Sequence, residues 1–233
     1  MAQEAIIIFF QIAILVMSVV VHEVSHGVAA LCLGDNTAKY AGRLTLNPFK
    51  HLDWWGSLVV PLIMIFTLGV GFGWAKPVPY NPYNLKNQKT GPALVGLAGP
   101  LSNILLALIF GLAARFITMN SFIKVDIIQN ILARNYENLA VSISGSLSSI
   151  FFLLFSMIVI INVFLAFFNL IPIPPLDGSK LLFAILKLRT ETVIMFEQFG
   201  FMFLLAFIFL FSGILGFFLQ GALGLFFHYV VGL

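Results

Sequence analysis

Six apolar runs, at about 5–33, 54–74, 92–118, 149–173, 192–211 and 213–233, dictate most of what this chain can fold into. A helix of about 20 apolar residues spans the hydrocarbon core of a bilayer. Lipid offers no partner to backbone amides, so such runs must satisfy their own hydrogen bonds as helices. The composition agrees: of 233 residues 61% are hydrophobic and only 9% charged, where a soluble domain has roughly 45–50% and 25%. The expectation is an all-α polytopic membrane protein with about 5–6 hydrophobic helical segments. It folds as a single membrane-embedded domain over 1–233, with a core at 5–180 and a C-terminal helical hairpin at 192–233.

The connecting segments are short. "KYAGRLTLN" and the proline-punctuated "AKPVPY" predict short β-like segments near 39–46 and 75–81. Residues 119–148 mix charged and apolar positions at helical spacing and predict an interfacial amphipathic helix plus loop. The net charge of +3 is scattered among loops, which excludes nucleic acid as a partner. Cys32 is the single cysteine, so no intrachain disulfide forms. The first run has no Lys or Arg before it and no small-residue cleavage site, so it reads as a retained helix rather than a signal peptide.

Inside that first run stands "HEVSH", His22-Glu23-Val24-Ser25-His26. Ionisable groups are costly in lipid and mark functional sites there. Residues four apart share one face of a helix, so both imidazoles can meet one zinc ion, with Glu23 beside them as a base. Catalytic zinc takes a third protein ligand and keeps one position open. The candidates are His51, His228, Asp53 and Asp177. Asp177 is chosen because Pro172, Pro174 and Pro175 break the helix before it. Broken helices at membrane depth occur inside protein or beside a water-filled cavity.

HEVSH in an early transmembrane helix, then "AGPLSN" (98–103), then "NLIPIPPLDG" (169–178), resembles the site-2 protease family of intramembrane zinc metalloproteases. "AGRLTLNP" and "FGWAKPVPYNP" are similar to its compact prokaryotic branch, which carries no PDZ or CBS domain. The resemblance covers about residues 18–180 and implies His22, His26 and Asp177 as zinc ligands and Glu23 as the catalytic glutamate. It also implies roles near the cleft for Asn103 and Asn169, either of which could donate a hydrogen bond to an oxyanion. The implied substrates are transmembrane segments of membrane proteins.

Geometry adds a condition. His22, His26 and Asp177 must lie on one side of the bilayer, so an odd number of crossings separates their helices. Two apolar runs intervene, and the segment 54–74, with Pro61 inside it, is expected to be re-entrant. Lysines and arginines flanking it and following Asp177 place the active site toward the cytoplasmic side of a cell membrane. The β-like segments are expected to pair with an unwound substrate. The competing classes are a metal-binding membrane transporter, which needs ligands but no adjacent base, and a non-catalytic scaffold.

Overall fold

The computed structural model describes residues 2–60, 63, 64, 66, 75–186, 188 and 190–233. Helix α1 (Ala2–Cys32) is largely apolar and ends where Gly34 takes φ 108°, a left-handed turn that a side chain would resist. The short helix α2 (Thr37–Tyr40) follows. Helix α3 (Gly91–Arg115) begins with proline at its second position and contains Pro100. Helices α4 (Ser121–Leu132) and α5 (Tyr136–Ser142) are short, and the side chains of Asn120 and Asn135 cap their first turns. Helix α6 (Leu147–Asn169) is capped by Ser146 and ends before the proline-rich segment. Helix α7 (Gly178–Leu186) precedes α8 (Thr190–Leu225), which continues as a wide helical turn to Val231.

Among the described residues, four helical stretches are long and apolar enough to cross a membrane: Gln3–Cys32, Gly91–Arg115, Leu147–Asn169 and Thr192–Val231. Helix α3 packs against both α1 and α6 and is the centre of the bundle. Ile7, Ala107, Ala114, Ile127, Leu139, Phe152, Met157 and Phe227 form the main core. That core lies at the end of the bundle holding the N-termini of α1 and α6. The opposite end holds smaller clusters, Ala30 with Leu85 and Val95, and Ile171 with Leu176 and Leu204.

Two expectations change. Among the described residues there is no strand at 39–46 or 75–81. In the first, α2 closes on itself: Gly42 turns at φ 62° and the Arg43 N–H returns to the Ala38 carbonyl at 3.0 Å. In the second, the N–H groups of Lys76, Val78 and Asn81 bond to His51 O, Glu23 and Asp35, while Pro77 and Pro79 have none to offer. These bonds and the two prolines, rather than a ladder, hold the segment here. In the C-terminal part, two helical stretches meet at a kink at Phe211 (φ −117°, ψ 16°), beside the boundary expected between the apolar runs 192–211 and 213–233. Most of 54–74, with the expected re-entrant path, lies outside the described residues.

The loops at the Cys32 end are tied together by Asp35, which is fully buried. Its carboxylate accepts hydrogen bonds from Thr37 N, Asn81 N and Asn84 Nδ2 at 3.1, 2.7 and 2.9 Å. Burial pushes its pKa up, but these bonds and that of the Thr37 hydroxyl outweigh it and hold the group below the usual carboxylate range.

Candidate metal centre

His22 and His26 sit one turn apart on α1, ten and six residues before its end at Cys32. At 1.5 Å per residue they lie about 9–15 Å inside the helix end, within the candidate membrane span Gln3–Cys32. Asp177 reaches them from the loop after α6. That loop folds back so tightly that a Cβ on Gly178 would lie 2.2 Å from the Leu170 carbonyl oxygen. The result is a buried cluster of His22, His26 and Asp177, with one ligand atom from each within 4.8 Å of the others. Asp177 Oδ2 lies 3.1 Å from His22 Nε2 and 3.1 Å from His26 Nε2, and the two Nε2 atoms are 3.1 Å apart.

The surrounding hydrogen bonds fix which atoms carry protons. His26 Nδ1 lies 2.6 Å from the Val95 carbonyl, which only accepts, so Nδ1 carries the hydrogen. His22 Nδ1 lies 2.6 Å from Asn103 Oδ1. The Asn103 amide cannot be flipped, because its Nδ2 faces the Ser18 carbonyl at 3.4 Å as well as Asn162 Oδ1 at 2.7 Å. Asn162 is oriented in turn, its Nδ2 donating to the Ile158 carbonyl and to Ser18 Oγ at 2.9 Å each. With the rings neutral, each therefore turns a bare Nε2 toward a carboxylate oxygen. The three atoms, 3.1 Å apart, then need a positive charge among them, a proton or a metal ion.

Room for an ion comes from α3. A Cβ on Gly99 would fall 2.5 Å from His26 Nε2 and 2.6 Å from His22 Nε2, so only glycine leaves the donors' common face clear. Two imidazole nitrogens and one carboxylate oxygen suit zinc and leave its fourth position open. The donor set and the cleared face both fit.

Glu23 is not one of the three clustered donors: its Oε2 accepts a hydrogen bond from the Val78 N–H at 2.8 Å. The alternative ligands are engaged away from the cluster. His51 Nε2 donates to the Thr45 carbonyl at 2.8 Å, Asp53 caps Gly56 N at 2.7 Å, and His228 Nδ1 faces the Leu233 carbonyl at 3.1 Å. Asn103 is in the site, but as the partner of His22. Asn169 ends α6 with its amide donating to the Leu165 carbonyl at 2.9 Å.

Comparison with known proteins adds one decisive fact: the model of peptidase family M50 matches residues 10–212. The chain belongs to this family. It is the family of site-2 proteases, in agreement with the resemblance carried by HEVSH and NLIPIPPLDG. "Putative zinc metalloprotease YwhC" of Bacillus subtilis (strain 168) is 38% identical over 72% of this chain and 65% of its own length. "Putative zinc metalloprotease Rip2" of Mycolicibacterium smegmatis is 36% identical over 43% of this chain and 38% of its own. The protein of the same name from Mycobacterium tuberculosis H37Rv is 29% identical over 81% and 62%. The chain thus spans under two thirds of the length of each of these relatives. No solved structure matches.

Asn162 and Ser18 went unread in the sequence. The first had a signal, being an amide inside a largely apolar helical run. Ser18 also had one, lying four residues before His22 on the same helical face. Gly99 was read only as part of AGPLSN and Lys180 only as a topology charge, because their places at the site depend on contacts with distant elements.

Proposed function

We propose that this M50 chain is an intramembrane zinc metalloendopeptidase that hydrolyses peptide bonds within or near transmembrane segments of membrane proteins. The observation that carries the reading is the convergence of three potential ligand atoms at 3.1 Å, with Glu23 next to His22 in sequence. Bound zinc would lower the pKa of a water and polarise a scissile carbonyl. His22, His26 and Asp177 hold the ion in this reading. Glu23 is the base that takes the proton of the attacking water and then gives it to the leaving amine. Asn103 holds His22 in the tautomer that keeps Nε2 free, and Asn162 and Ser18 hold Asn103. Asn169 is assigned no contact with substrate.

The depth of the cluster supports substrates that are themselves in the membrane. A helical segment hides its peptide bonds, so the substrate must be extended before attack. Lys39, Arg43, Lys50, Lys76, Lys86, Lys89 and Lys180 all lie at the metal end of the bundle, which supports a cytoplasmic position for that end.

The test is to purify wild type and Glu23→Gln in detergent, measure zinc, and assay cleavage of a transmembrane reporter. Zinc in both proteins with cleavage by wild type alone is the expected result. Zinc without cleavage in either, with metal moving across reconstituted vesicles, would mark a transporter instead.

A further inference from the structure

The two oxygens of Asp177 are used differently. Oδ2 faces both imidazoles, whereas Oδ1 accepts a hydrogen bond from Lys180 Nζ at 2.9 Å. Lys180 is held from several sides. Its stem lies against α3, where a Cβ on Gly96 would meet Lys180 Cδ at 3.0 Å. Its ammonium stands 5.6 Å from the centre of the Tyr80 ring, within cation–π range. Tyr80 belongs to the same extended segment whose Val78 N–H holds Glu23.

Lys180 is out of place by helix energetics. It occupies the first turn of α7, where the helix dipole disfavours a cation. Asp177, directly before Gly178, could cap that helix, yet both its oxygens face side chains instead: Lys180 Nζ, His22 and His26. The local sequence has given up helix stabilisation to point a carboxylate and an ammonium at each other beside the donor cluster.

We propose that Lys180 is a positioning residue of the metal centre, occupying Oδ1 of Asp177 so that the carboxylate presents one oxygen to the ion and leaves its open position free. This rests on the reading of His22, His26 and Asp177 as the zinc ligands. A carboxylate that bound through both oxygens would fill the place a water or scissile carbonyl must take. The ammonium also draws electron density from the carboxylate, so the ion keeps its electrophilic character. Lys180 touches neither ion nor substrate in this account. Its effect passes through Asp177, with Tyr80 limiting where the ammonium can go.

The experiment compares purified wild type, Lys180→Met, Lys180→Arg and Asp177→Asn. The readouts are zinc affinity by chelator competition, the visible spectrum of the cobalt(II)-substituted proteins, thermal unfolding, and kcat and KM on a transmembrane reporter. Four-coordinate cobalt absorbs several-fold more strongly than five- or six-coordinate cobalt. Lys180→Met should still take up cobalt, lose at least half of the visible band, and lose about 10–100-fold in kcat with KM within about twofold. Lys180→Arg should recover both. A wild-type band and kcat in Lys180→Met, or no recovery with arginine, overturns the proposal. Where Lys180→Met does not accumulate, Lys180→Gln, shorter and uncharged, takes its place with the same expected losses. Asp177→Asn separates the two readings: undiminished zinc affinity there would remove Asp177 from the ligand set, whatever Lys180 does.

Discussion

Glu23 Oε2 and the backbone N–H of Val78 are joined at 2.8 Å across 55 residues of sequence. The base of the proposed reaction is thus oriented by an extended segment rather than by its own helix. Val78 is buried, and a Cβ on Gly27 would meet its side chain at 2.8 Å, so the segment is pressed against α1. Val78→Pro deletes the donor. Zinc content should stay within twofold of wild type while reporter cleavage falls by an order of magnitude or more. Unchanged cleavage would detach this segment from the chemistry.

Gly99 gives a prediction about the ion alone. With alanine there, the new methyl group would sit 2.5 Å from His26 Nε2. Gly99→Ala should purify with far-ultraviolet dichroism like wild type but with less than about a tenth of the bound zinc, measured by plasma mass spectrometry. Stoichiometric zinc in this variant would mean that the ion lies elsewhere.

Asn103 sets the tautomer of His22, and its own orientation is set by Ser18 and Asn162. Asn103→Ala leaves a buried imidazole N–H without a partner. Zinc affinity should drop about 10–100-fold, the usual range for losing the group that orients a histidine ligand. Asn162→Leu should cause a smaller drop in the same direction. Equal affinities for all three proteins in chelator competition would dissociate this network from the metal centre.

Asp35 offers a pH-dependent stability test away from the site. Its folded pKa lies below the usual value, so its contribution is present above about pH 4 and is lost as pH falls through the folded value. Asp35→Asn forces an NH₂ group toward amide donors and should cost about 1–3 kcal/mol at neutral pH. Thermal unfolding in detergent should show the gap between wild type and variant narrowing below about pH 4. A gap that stays constant with pH would assign the loss to packing instead.

What the sequence disclosed follows the range of the interactions involved. His22 and His26 were legible because helical periodicity alone puts them on one face, and Asp177 because the prolines before it demand a break. Chain segments that owe their shape to distant partners were not. Residues 75–81 have the composition of a strand, but their amides bond to His51, Glu23 and Asp35. Hydropathy divided 192–233 between 211 and 213, and the regular helix geometry lapses at Phe211. Asn103 was recognised as belonging near the cleft, but its role as partner of His22 depends on Ser18, 85 residues away.

The fold-back of the loop after α6 has a consequence for biosynthesis. The cluster draws on residues 155 positions apart, His22 and Asp177. During translation α1 enters the bilayer long before its third ligand exists. A nascent chain holding only the two imidazoles lacks the anionic arm of the chelate, so it grips an ion weakly. In the proposed reading, the three-ligand site is therefore complete only once α1, α3 and α6 are all in place.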